Sequence, residues 1–232
     1  MASAVDDEGR QLHPRQWNND FIRLPKVCKK EQHRPTVTPT ELMEILSKTK
    51  QRKYFVLFAL LAGTGLRIGE ALSLRRSDFG PDGRVLHVRR SIWRGYEQKP
   101  KTPYSVRVVD LPEVLAFELR EYLSKVNRYL FASEAGKPLG QRKVLRVLHG
   151  KKDVGFHVFR RFRATWLRKN AVPRDLELLW MGHAPEEVGD PYSTLNEDTK
   201  FRQQWAGRVG LGFELVHTIH NFEKDAEVLN AA

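Results

Sequence analysis

Residues 54–62 read YFVLFALLA, the longest apolar run in the 232-residue chain. Crossing a bilayer takes about twenty such residues, so this run cannot span one. A helix that is apolar nearly all round has no face to offer water and must be enclosed by other elements. The pattern predicts a helix over 52–62, stopped by Gly63 and Gly65, at the centre of a helical core.

The rest of the chain supplies the enclosure. Thr38, Pro39 and Glu41 fit an N-terminal capping box, opening a helix to about residue 47. Residues 85–92 and 105–111 read as strands of a β-hairpin, with a polar, basic loop over 94–103 and Lys99 and Lys101 near its tip. Further helices are expected from Pro112 to about 126, over 141–148, from 157 onward, over 174–181 and over about 196–206. Residues 129–131 read as a short strand. The fold class is therefore mixed: mainly α-helical with a small antiparallel β-sheet. Residues 213–229 form an amphipathic tail carrying Phe213, Leu215, Val216, Ile219 and Phe222.

Charge narrows the partner. Forty Lys plus Arg against 28 Asp plus Glu give a net +12. The excess is concentrated: across 141–174 the only acid is Asp153. Such a concentration favours a polyanion, usually nucleic acid. Cys28 is the only cysteine, which excludes an intrachain disulfide and a cysteine-based zinc site. A reducing, cytoplasmic setting is expected. The opening MASAVDDEGRQ lacks the apolar core of a signal peptide.

That basic stretch also holds the reactive side chains. His157 and Arg160 are three apart, so a helix projects both from one face, with Phe156, Phe159, Phe162, Trp166 and Leu167 at apolar helical intervals. The 174–181 helix stops at Gly182, and His183 follows. Tyr192 comes after a linker containing acids, glycine and proline. Each has a plainer reading: Arg160 as a structural or nucleic-acid-backbone contact, His183 as a helix-terminal imidazole, Tyr192 as a surface aromatic. Arg67, between Leu66 and Ile68, reads on its own as a structural partner of Glu70.

Taken in order, Arg67 in TGLRIGEAL, His157-x-x-Arg160, Met181-Gly-His183 and Tyr192 resemble the catalytic domain of the tyrosine recombinases, also called phage integrases. The segment KTPYSVRVVDLP over 101–112 resembles that family's lysine hairpin and places its catalytic lysine at Lys101, with Lys99 as the alternative. The residue after Arg160, often histidine in the family, is Arg161 here. The resemblance implies the tyrosine recombinase catalytic-core fold and metal-independent transesterification at a DNA phosphodiester, with no cofactor. Tyr192 attacks phosphorus to form a 3′-phosphotyrosine link. Arg67 and Arg160 meet the charge that attack adds. A histidine accepts the phenolic proton: His157 is the base and His183 a donor to the phosphate, though the sequence leaves that division open. Lys101 protonates the leaving 5′-oxygen.

The resemblance covers roughly residues 21–212. It implies an N-terminal arm and interdomain linker over 1–36, without the family's core-binding domain, a catalytic domain over 37–212, and a tail over 213–232 available for exchange between protomers. The expected partner is double-stranded DNA, with a monomer in its absence, a tetramer on recombining sites, nucleoid association when bound and no membrane. The alternatives are a Xer-like or transposon-borne resolvase with the same chemistry, or a truncated, non-catalytic DNA-binding remnant.

Overall fold

The apolar helix does sit at the centre. The computed structural model describes residues 6–8, 10, 35–99, 102–124, 128–184 and 194–215. Met1–Arg34 and Pro35–Ala232 form separate compact units. In the first, the Asp6 carboxylate accepts the backbone N–H groups of Glu8 and Arg10, forming a small turn.

In the second, α1 (Pro39–Ser47) opens on the expected capping box. Thr38 Oγ1 accepts from Glu41 N, and the Glu41 carboxylate accepts from Thr38 N. Helix α2 (Arg52–Thr64) is buried from Tyr54 to its end. It runs two residues past the expected stop, because Gly63 and Thr64 are enclosed by packing that outweighs glycine's low helix propensity. Gly65 ends it in the left-handed region (φ +71°), where only a residue without Cβ sits without strain. Phe58 of α2 stacks on Phe159 of α6 (His157–Lys169), ring centroids 5.7 Å apart.

The short α3 (Ile68–Leu72) leads through a 3-10 turn over Arg76–Asp78 into the strands. The expected single hairpin is instead two separate two-stranded ladders. Strand β1 (Val85–Val88) pairs antiparallel with β4 (Arg107–Asp110), while β2 (Ser91–Trp93) pairs with β3 (Tyr96–Gln98). The cause is local. Arg94 and Gly95 both take positive φ (51° and 86°), the geometry that closes a two-residue hairpin turn. Residues 96–98, expected as loop, are therefore a strand. Lys99 follows its end and does not occupy the hairpin tip.

Pro112 caps α4 (Glu113–Leu123), which buries Leu115, Ala116 and Leu119 and exposes Val114 and Phe117. Within 129–131, expected as a short strand, only Tyr129 bridges, in an isolated antiparallel pairing with Arg75. Helix α5 (Gln141–His149) buries Val144 and Leu148 and turns Arg142, Lys143 and Arg146 to solvent. Helices α6, α7 (Arg174–Met181) and α8 (Thr199–Val209) complete the enclosure. Helix α8 continues through Gly207 and stops at Gly210. Among the described residues no helix is long and apolar enough to cross a membrane.

Candidate active site

Three helix ends meet around one arginine. Arg160 lies one turn into α6. Its Nη1 donates to the Gly65 carbonyl at the end of α2 (2.8 Å). Its Nη2 donates to the Met181 carbonyl at the end of α7 and lies 2.9 Å from His183 Nε2. A guanidinium has only donors, so His183 Nε2 accepts; the ring is neutral and carries its proton on Nδ1. Gly182 makes this placement possible. It takes the left-handed conformation (φ +62°), and a Cβ there would sit 2.8 Å from the Arg107 guanidinium. The reversal at Gly182 delivers His183 beside Arg160.

Arg67 caps the N-terminus of α3, with its side chain 43% exposed. Glu70, one turn on and buried, holds it twice: Oε2 accepts the Arg67 backbone N–H and Oε1 accepts Nη1, both at 2.9 Å. The same carboxylate takes both terminal nitrogens of Arg107, at 3.2 and 3.0 Å. Arg107 is itself buried, and its Nε donates to the Trp180 carbonyl (2.9 Å). Burial pushes the Glu70 carboxyl up, but Arg107 and then Arg67 more than reverse this and hold it ionised below the usual range. The structural pairing of Arg67 with Glu70 and a functional role are thus compatible: Glu70 holds the backbone N–H and one guanidinium nitrogen of a side chain that stays 43% exposed.

Positive charge leaves its mark on both histidines and on Arg160. Burial lowers His157, and Arg161, Arg160 and Arg67 lower it further. His183 is lowered by burial, then by Arg160 and Arg67. Arg160 falls to about 10, through burial first and Arg67 next. It remains protonated at neutral pH, whereas both imidazoles are neutral. The site combines two fixed guanidiniums with two uncharged imidazoles, an arrangement suited to an anion that must also exchange protons.

Arg67 also lines a cleft of about 370 Å³ with Glu70, Arg90, Ser91, Gln98, Lys99, Thr102 and Ser105. Lys99 thereby joins Arg67. Lys101 and Tyr192 lie outside the described residues, as does Cys28. The chain on both sides of the 185–193 segment is held by one buried carboxylate. Asp110 Oδ2 accepts from Trp180 Nε1 in α7 (2.9 Å) and from Arg202 Nε in α8 (2.8 Å). Arg202 Nη1 in turn holds the Leu195 and Asn196 carbonyls, each at 2.6 Å.

Sequence reasoning missed Arg107, Asp110 and Arg202. Their partners are 37, 70 and 92 residues away, and nothing local signals that they turn inward. A charged residue at an alternating strand position, as Arg107 is in VRVVD, was the one available hint.

Comparison with known proteins gives the family and the fold. Residues 36–198 match the Phage integrase family. The chain is 28% identical over 184 residues to the tyrosine recombinase XerC-like protein of Caldanaerobacter subterraneus subsp. tengcongensis, covering 64% of this chain and 47% of that protein. It is 28% identical over 211 residues to the integrase of Mycobacterium phage D29, covering 83% and 54%. It thus spans about half the length of these curated relatives. Among solved structures, the Tn1549 transposon integrase in complex with transposon right end DNA superimposes with a TM-score of 0.59 at 20% identity, over 71% of this chain and 63% of that one. The XerA recombinase gives 0.52 at 23%, over 77% and 67%. These likenesses show the fold, the helix-rich tyrosine recombinase catalytic core with small antiparallel sheets. With most of its length matched to the family and its arginines and histidines gathered at one place, the chain belongs to the phage integrase family of tyrosine recombinases.

Proposed function

We propose that this chain is the catalytic domain of a site-specific DNA recombinase, which breaks and rejoins DNA through a covalent 3′-phosphotyrosine intermediate for integration or excision. The observation that carries this reading is the junction of Arg67, Arg160, His157 and His183 at the ends of α2, α6 and α7. Residues 37–212 are the catalytic domain, 1–36 the arm and linker, and 213–232 the tail.

The Tyr192 phenol ionises near pH 10, so at neutral pH it must lose its proton as it attacks. His157, solvent-accessible though partly desolvated, and neutral, is suited to accept that proton. As the Tyr192 oxygen bonds to phosphorus, Arg67 and Arg160 meet the second negative charge on the equatorial oxygens. His183, with its proton on Nδ1, is the donor to the same phosphate. When the bond to the 5′-oxygen breaks, a hairpin lysine supplies the proton: Lys101 by its place in the motif, Lys99 by its place in the cleft. The phosphoryl group stays in a protein ester, so the reverse attack by a 5′-hydroxyl reseals DNA without ATP.

The partner is double-stranded DNA. The exposed Arg142, Lys143 and Arg146 of α5 and the net charge of +12 favour a phosphate backbone. The Tn1549 integrase, similar in fold, is described in complex with transposon DNA. On recombining sites we expect four copies, with the tail joining neighbours. A Xer-like resolving role uses the same site chemistry. The test is to recover the DNA-linked peptide after reaction with nicked attachment-site DNA. Linkage at Tyr192 upholds the proposal, and linkage at another residue refutes it.

A further inference from the structure

Strand β3 is exposed along its whole length, yet it leads directly to Lys99. Among the described residues, Glu97 is the β3 side chain that ties the strand to the body beyond its ladder with β2. Glu97 Oε2 lies 2.6 Å from Arg75 Nη2, and Oε1 lies 3.8 Å from Arg90 Nε. The Tyr129 hydroxyl approaches the same carboxylate at 3.5 Å. Among the described residues, no other side chain of β3 makes an ion pair.

The groups Glu97 grips are themselves fixed. Arg75 lies over the Tyr129 ring, and its backbone bridges to Tyr129. Its N–H donates to the buried Asp78 carboxylate at 2.9 Å, and Arg90 pairs with that same carboxylate. Arg90 lines the cleft that holds Arg67 and Lys99. The clamp thus connects the core to a strand that ends at the cleft.

We propose that Glu97 is a positioning residue that seats Lys99 in the Arg67 cleft, so that its ammonium can protonate the departing 5′-oxygen. This rests on the recombinase reading above. In the step concerned, the Tyr192 oxygen–phosphorus bond forms, the phosphorus–O5′ bond breaks, and one Nζ proton passes to O5′. The ion pairs of Glu97 are partly exposed, and such pairs add little to global stability. Their loss therefore acts on the hairpin's place, and Glu97→Gln still folds.

The experiment compares cleavage of two nicked substrates, one with the ordinary 5′-oxygen and one with a bridging 5′-sulfur. A thiol ionises near pH 8.5, so the sulfur leaves without a proton. Lys99→Ala is expected to slow the oxygen substrate about 100- to 10,000-fold, the range of one positioned proton donor, and Glu97→Gln by a smaller factor of at least about 10. Both are expected to cleave the sulfur substrate at close to the wild-type rate, with an unchanged melting temperature. Equal slowing on both substrates, or no slowing of Glu97→Gln on oxygen, overturns the proposal. Sulfur rescue of Lys101→Ala but not Lys99→Ala overturns it too. Absence of any wild-type adduct on either substrate instead removes the recombinase reading itself.

Discussion

Glu70 decides how Arg67 is presented, because one carboxylate serves both the exposed Arg67 and the buried Arg107. Removing one partner of a buried pair leaves the other charge unmatched, at a cost of about 3–5 kcal/mol. Glu70→Ala is expected to lower stability by about that much, read from the urea midpoint, and to abolish cleavage. At the same scale, pH reports the histidines. His157 and His183 are both depressed, so their neutral forms persist below the ordinary histidine range. The rate of covalent-complex formation should hold as pH falls through 6.5 and decline only at more acid values. A decline centred above pH 6.5 contradicts these assignments. Of the residues singled out from sequence, His157 and Arg160 were marked by lying one helical turn apart and His183 by the Gly182 stop, whereas Arg67 and Lys101 rested on the ordered resemblance to the family. Arg107 was illegible because its meaning lies in Glu70, which strand and helix bring to it across the fold.

Elements carry these side chains to the site, and their legibility followed how local their causes are. The capping box at Thr38, the enclosure of α2 and the Gly182 stop are written in adjacent residues. The hairpin was misread because Arg94 gives no sequence sign of taking positive φ. Its partner Gly95 does, and the pair together turn a ten-residue loop into a tight hairpin with β3. The tie between α7, α8 and β4 through Asp110 was likewise hidden, since its three members come from distant segments. Arg202 is 1% exposed and Asp110 2%. Asp110→Ala is therefore expected to cost about 3–5 kcal/mol by stranding a buried guanidinium, measured by chemical denaturation. A change under about 1 kcal/mol, the scale of an exposed pair, would show that the tie is not structural.

In the unit from Pro35 onward, helices packed around α2 form the frame, and α5 turns Arg142, Lys143 and Arg146 to solvent. Phe213 packs edge-on against Phe162, so the start of the tail belongs to this frame. The tail's remaining apolar residues, Val216, Ile219 and Phe222, lie outside the described residues. Deleting 216–232 is expected to leave the monomer folded and to prevent tetramer formation on DNA, as followed by light scattering. Unchanged assembly would sink tail exchange while leaving the chemistry intact.

The most direct measurement is covalent trapping on nicked suicide DNA carrying the attachment sequences that flank the gene. The wild-type chain and Tyr192→Phe are run side by side on denaturing gels, with DNA binding measured for both. A slow band from the wild type alone, with binding retained in the variant, is the predicted result. A band that survives Tyr192→Phe, or a wild type that binds this DNA and forms no band, contradicts the assignment of this site to phosphotyrosine chemistry.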